Sequence, residues 1–263
     1  MLLKEKSPYY RIEGAQVVHQ KFSYRVIQMN TNKATNIPTI EETQMGIHTF
    51  DMKVELGTSQ FKHLSKSLPL NALPPKGLTN PFNIPGIQKL FISRKANHFG
   101  YFFTLVIEPQ ALLEKQATLN LFDCTESSLE LLQKKLNEHL ISIDTILDLN
   151  RRKWYLARID YATQLKFDHT ELYIDLARRA AVPYGYRPKY IGEFSSYTQC
   201  KSVCHNFYFK YRQLLAKKAS KDIIAQSEGL YRTEIQILTT EKIKDLSEKY
   251  GITIVYSLYL IEI

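Results

Sequence analysis

With 263 residues and 44% apolar side chains, the chain has enough material for one large domain with a full core, so disorder is set aside as its default state. Lysine and arginine outnumber aspartate and glutamate 35 to 26, giving a formal charge of +9 and a pI near 9.2. Such a balance points to an acidic partner, nucleic acid or an anionic surface.

No apolar run approaches the roughly 18 residues that a spanning helix needs. The opening "MLLKEKSPYYRIEG" has neither a sustained apolar stretch nor a small-residue cleavage site, so a cytoplasmic protein without a membrane partner is expected. Three cysteines, Cys124, Cys200 and Cys204, are too few for a disulfide framework and suit a reducing compartment. Cys200, Cys204 and His205 lack the paired spacing of a zinc knuckle, and ordinary strand positions explain them better.

In chain order, "YYRIEGAQVVHQKFSYRVIQM" and the alternation around 48–56 suggest short strands, so residues 1–66 are read as a strand-rich region of unassigned role. Five of the ten prolines fall in 69–86, where lost donors and fixed φ exclude a regular helix, and 67–90 is expected to be a linker or long loop. Residues 91–263 are then one catalytic domain. Within it the periodicity predicts a strand over 98–112, an amphipathic helix over 125–143 capped by Thr125 near Ser128, and a strand over 153–163. A helix over 169–181 stops before Pro183. Strands over 201–214 and 230–238, a helix over 240–251 closed by Gly251, and a terminal strand at 252–261 complete the chain. The order implies an α+β fold: an antiparallel-rich sheet built from β-α-β-like halves, with helices on one face and a charged open face.

Side chains alternate across a strand, so each of the three central strands sorts into two faces. Cys204, Asn206, Tyr208, Lys210 and Arg212 share one side of 201–214, opposite Val203, His205, Phe207, Phe209 and Tyr211. In the same way Arg158 falls with Asp160, and Arg232 with Glu234 and Gln236. The bland explanation is a solvated sheet face. The residue types gathered there suit phosphodiester chemistry instead. Asp160 and Glu234 can hold a divalent cation, Mg²⁺ or Mn²⁺; Arg158 and Arg232 can orient those carboxylates or grip phosphate; and a tyrosine can attack. A phenol titrates near 10 and needs nearby cations, here Lys210 and Arg212, to become a nucleophile.

Three segments, "RIDYA", "SVCHNFYFKYRQL" and "LYRTEIQIL", resemble motifs of rolling-circle replication initiators and related relaxases that lack a paired-histidine metal motif. The corresponding family patterns are R-[IL]-D, [IN]-x-[FIY]-Y-[DN]-K-x-x-[EQ]-L and L-R-x-E-[VI]-[QE]. The resemblance spans about residues 100–250, and the chain contains no His-hydrophobic-His. It implies a metal-dependent nickase. A tyrosine attacks one strand of origin DNA, is linked to the 5′ phosphate, and releases a 3′ hydroxyl for a polymerase to extend; a later transesterification rejoins the strand. Position by position, Asp160 and Glu234 match the motif carboxylates, Lys210 the motif lysine and Tyr208 the motif tyrosine, with Tyr211 and Tyr197 close enough in sequence to compete as nucleophile. Phe209 departs from the pattern, which has an acidic or amide residue there, so a DNA-binding protein of initiator descent that does not cut is the alternative.

The run 201–221 carries Lys201, Lys210, Arg212, Lys217, Lys218 and Lys221 with a carboxylate-free sequence around them, which suits a backbone-tracking DNA surface. Arg178 and Arg179 fit a helix C-terminus. No P-loop or other nucleotide-binding turn is present, so unwinding would come from a host helicase or from supercoiling.

Overall fold

The computed structural model describes residues 42–250 except 69–75, 95–99, 167–169, 181, 183 and 189–193. The strand expected at 252–261 and those suggested before residue 30 lie outside the described residues. Within them the chain forms an antiparallel sheet of nine strands: β1 (Glu42–Gly57), β2 (Leu78–Thr79), β3 (Ile87–Arg94), β4 (Gly100–Ile107), β5 (Trp154–Lys166), β6 (Arg187–Pro188), β7 (Ser195–Gln199), β8 (Val203–Phe209) and β9 (Leu230–Ile237). Their spatial order is β2-β3-β4-β1-β5-β9-β8-β7-β6. The α+β class with an antiparallel-rich sheet is thus observed.

β1 sits inside the sheet, paired with β4 on one side and β5 on the other. The boundary expected near residue 66 is therefore corrected: residues 42–57 belong to the same sheet as β5, β8 and β9. The proline-rich segment likewise contributes β2, which pairs with β3.

One face of the sheet is apolar. Phe50, Met52, Val54 and Leu56 recur at every second position of β1 and oppose Ile107, Leu105, Phe103 and Tyr101 of β4. Helix α3 (Glu126–Ile143) lays Leu129, Leu132, Leu136 and Leu140, spaced by three and four residues, onto this face. Each such buried leucine contributes roughly 2 kcal/mol before entropy is counted. Thr125 caps the helix by accepting from the Ser128 backbone N–H, as expected from sequence. Helix α1 (Thr58–Ser67) adds Phe61 and Leu64, helix α2 (Pro109–Glu114) adds Leu112, and α7 (Thr240–Tyr250) adds Ile243. A second, smaller cluster forms where Ile174 of α4 (Thr170–Arg179) meets Tyr231, Leu165 and Phe207.

The strand expected over 201–214 ends at Phe209. Lys210–Ala216 is helix α5, followed by α6 (Lys221–Gln226). Tyr211, Leu214 and Leu215 recur at three and four residues, a helical spacing that the alternating residues before them mask. Because Gln213 of α5 lines the same cavity as strand residues Asp160 and Tyr208, this helix covers part of the polar face, which is therefore not fully open. The strand expected over 98–112 is similarly shortened: after Ile107, Pro109 begins α2, where its missing N–H costs nothing.

Candidate functional site

The polar face owes its composition to register. Asp160 opposes Gln236, Ala162 opposes Glu234 and Gln164 opposes Arg232 between β5 and β9. Across β9 and β8, Glu234 opposes Asn206 and Arg232 opposes Tyr208. Asp160, Glu234 and Tyr208 therefore share one face of three adjacent strands, as alternation predicts.

A bulge in β1 completes the site. Ile47 pairs with Tyr161 and Thr49 with Asp160, so His48 is an extra residue, and His48 and Thr49 both face the same cavity. That cavity has a volume of about 320 Å³; Asp51, Arg158, Tyr197 and Asn206 are among its lining residues.

At its floor the Tyr208 hydroxyl donates to Glu234 Oε1. His48 Nδ1 lies 2.8 Å from the same oxygen, in a contact not aligned for a hydrogen bond. Asn206 Nδ2 approaches Glu234 Oε2 at 3.5 Å, and Cys204 Sγ donates to Asn206 Oδ1 at 3.0 Å. Burial disfavours the Glu234 charge, but His48, Tyr208 and Arg232 outweigh it and hold the carboxyl well below its usual range. Burial and the Glu234 charge push the Tyr208 phenol well above 10. Burial, working against the Glu234 carboxylate, also lowers the His48 imidazole below its ordinary value.

Lys210, the first residue of α5, is 5% exposed. Its Nζ lies 5.8 Å from the centre of the Tyr208 ring and donates to Gln213 Oε1 at 3.0 Å. Burial, followed by the Arg232 and Lys217 charges, brings its ammonium down to about 7.

The second carboxylate is held separately. Arg158 Nε donates to Asp160 Oδ1 at 2.8 Å while its Nη2 donates to Oδ2, and Thr49 Oγ1 donates to Oδ2 at 2.7 Å. Gln236 Nε2 adds a fourth bond at 3.1 Å. Three protein donors thus converge on Oδ2 and one on Oδ1. Glu234 is likewise engaged by Tyr208 and His48. No three His, Cys, Asp or Glu side chains converge as a metal set among the described residues.

Arg232 is a correction to the expected DNA contacts. It is 1% exposed, its Nε donates to Gln164 Oε1 at 3.1 Å and its Nη2 to the Leu119 carbonyl at 2.9 Å. Its guanidinium braces the sheet against the segment before α3, and its charge acts on Glu234, Tyr208, Lys210 and His48. Tyr211 lies against Phe209, 5.6 Å between ring centres, and does not line the cavity. Arg212 is exposed and stacks on the Phe194 ring at 4.5 Å.

The basic run is divided as well. Lys201 is exposed at the turn before β8, whereas Lys217 and Lys218 are exposed beyond α5. The intervening strand separates them by roughly 20 Å at 3.3 Å per residue. Phe209 faces the apolar side as alternation predicts, 7% exposed and on the face shared with Phe207 and Tyr231.

Sequence reasoning missed His48, Thr49 and Asp51. Asp51 follows the β1 alternation and was legible in principle; His48 and Thr49 share a face only through the bulge. Among the described residues no helix is long and apolar enough to cross a membrane. No protein-family model matches this chain, and no curated protein matches it.

Proposed function

We propose that this protein cuts and rejoins one strand of DNA by tyrosine transesterification, with Tyr208 as the nucleophile. The observation that carries the reading is the Tyr208–Glu234 hydrogen bond at the floor of a cavity, beside the buried ammonium of Lys210. Tyr208 Oη forms a bond to phosphorus as the bond to the 3′ oxygen breaks. The 5′ phosphate stays on the tyrosine, and the 3′ oxygen leaves as a hydroxyl. Glu234, ionised at neutral pH, orients the phenol through its hydrogen bond but is too weak a base to keep the proton, which passes to the amine form of Lys210. Lys210, titrating at about 7, exists as both amine and ammonium near neutrality and supplies charge or a proton as the phosphorus centre gains negative charge. Rejoining is the same step reversed by a 3′ hydroxyl. DNA is the partner, and strand separation and extension fall to a host helicase and polymerase.

A second reading, DNA binding without cutting, is favoured by one observation: Tyr208 is only 3% exposed and its phenol is held far from ionisation. Incubation with labelled single-stranded DNA, with Mn²⁺ or with EDTA, followed by a denaturing gel, separates the two. A shifted band that survives SDS supports the nickase, and its disappearance with EDTA would add a divalent ion to the reaction. Salt-sensitive binding with no such band selects the second reading.

A further inference from the structure

The cavity is larger than attack on one phosphate requires, and its far end carries chemistry that strand transfer leaves unused. Asp51 lies there, opposite Arg158 on β5 and Val106 on β4. Its Oδ1 is buried without a hydrogen-bond partner among the described residues. An unsatisfied buried carboxyl oxygen costs stability, and its persistence beside a cavity calls for a partner that arrives from outside. Phe91 lines the same end. The Gly77 backbone packs against that ring so closely that a Cβ there would sit 2.7 Å from it, so the ring is backed by main chain. Lys89 stands exposed beside it on β3.

A backed aromatic ring, an unpaired acceptor and a peripheral cation match the three parts of a nucleotide: a stacking face, an amino edge and a phosphate. We propose that the Asp51–Phe91–Lys89 end of the cavity is a base-recognition subsite, taking one unstacked base of single-stranded DNA that carries an exocyclic amine. This inference rests on the strand-cutting reading for its choice of DNA. A turn of the Asp51 carboxylate brings Oδ1, closed to water in the free protein, into the cavity to accept from the amine; Phe91 supports the ring and Lys89 meets the neighbouring phosphate. Cytosine, adenine and guanine offer the amine, whereas thymine presents a carbonyl oxygen to the acceptor and is disfavoured. Burial pushes the Asp51 carboxyl up to about 6, so near neutrality a fraction also carries a proton to offer a ring nitrogen beside the amine.

The test is fluorescence anisotropy with labelled oligo-dC and oligo-dT, using Tyr208→Phe protein so that nothing is cut. The expected result is about tenfold tighter binding of oligo-dC, the size of one good base contact. Asp51→Leu, which keeps the volume and removes the acceptor, brings the ratio near one, with oligo-dT affinity unchanged or higher. Phe91→Leu, which keeps an apolar contact and loses the ring, weakens both oligonucleotides and serves as the second variant if Asp51→Leu folds poorly. Equal affinities in the parent protein, or a preference that survives Asp51→Leu, overturn the subsite. Adduct formation by the wild-type protein on these strands is scored separately. An adduct without base preference leaves the nickase and removes the subsite; an Asp51-dependent preference without an adduct does the reverse.

Discussion

Tyr208 and Glu234, from neighbouring antiparallel strands, are joined by a buried hydrogen bond from phenol to carboxylate. Each partner suits the other: the phenol keeps its proton because it is buried beside the charged Glu234, and Glu234 stays charged because His48, Tyr208 and Arg232 surround it. Such a bond is worth about 1–3 kcal/mol when one partner is ionised. Tyr208→Phe is therefore expected to lower unfolding stability by about that amount in urea denaturation. Tyr197→Phe, at a half-buried position on the same face, is expected to change it by roughly 0.5 kcal/mol or less.

Asp51 has the opposite effect on stability. Its folded pKa is raised from 3.8 to about 6, chiefly by burial. Between those values the folded state binds more protons than the unfolded one, so stability falls as pH rises through this window. The loss reaches roughly 3 kcal/mol at most once the pH exceeds both values. Asp51→Asn is expected to be more stable than the parent at pH 7 and to lack this fall. Denaturation midpoints of the two proteins measured from pH 4 to about pH 7 check it.

Lys210 carries a pKa lowered from 10.5 to about 7, again chiefly by burial. Here the unfolded chain binds more protons between the two values, so the Lys210 contribution makes stability rise with pH across that window. Lys210→Met is expected to be more stable than the parent at pH 7, with the difference shrinking toward pH 10. The difference between the two pH profiles isolates this lysine from the tyrosines and cysteines that titrate nearby.

Gly46 lies where β1 meets the segment before α3. A Cβ there would stand 2.2 Å from the Phe122 carbonyl oxygen, and that backbone is tied to Ile47 by two hydrogen bonds, 2.9 and 3.0 Å. Gly46→Ala is expected to destabilise the fold by about 1–3 kcal/mol, the usual cost of overpacking. Thermal denaturation measures it. The same segment carries the Leu119 carbonyl that binds Arg232, so the variant is also expected to loosen the floor beneath Tyr208.

The legible parts of the fold are those where one periodicity runs uninterrupted. The spacing of four leucines marks α3, and the alternation of β5 and β9 suffices to put Asp160 and Glu234 on the polar side of the sheet. Tyr208 falls on that side by the same alternation along β8. What is not legible comes from changes of period within a few residues. At Phe209 the strand becomes a helix, which moves Lys210 from an expected strand position to the first turn of α5 and takes Tyr211 and Arg212 out of the cavity. At His48 an extra residue breaks the alternation, and no residue type marks a bulge in advance. The bonding of Asp160 and Arg232 depends on Thr49, Gln164 and Leu119, partners distant in sequence that no local pattern brings together.

The role of Tyr208 as nucleophile is tested by the identity of the tyrosine in a protein–DNA adduct. Wild-type protein is incubated with single-stranded DNA, the SDS-resistant product is digested with protease and nuclease, and the nucleotide-bearing peptide is sequenced by mass spectrometry. The modification is expected on Tyr208, with the adduct lost in Tyr208→Phe and retained in Tyr197→Phe and Tyr211→Phe. A nucleotide found on Tyr197 or Tyr211, or an adduct that persists in Tyr208→Phe, would contradict it.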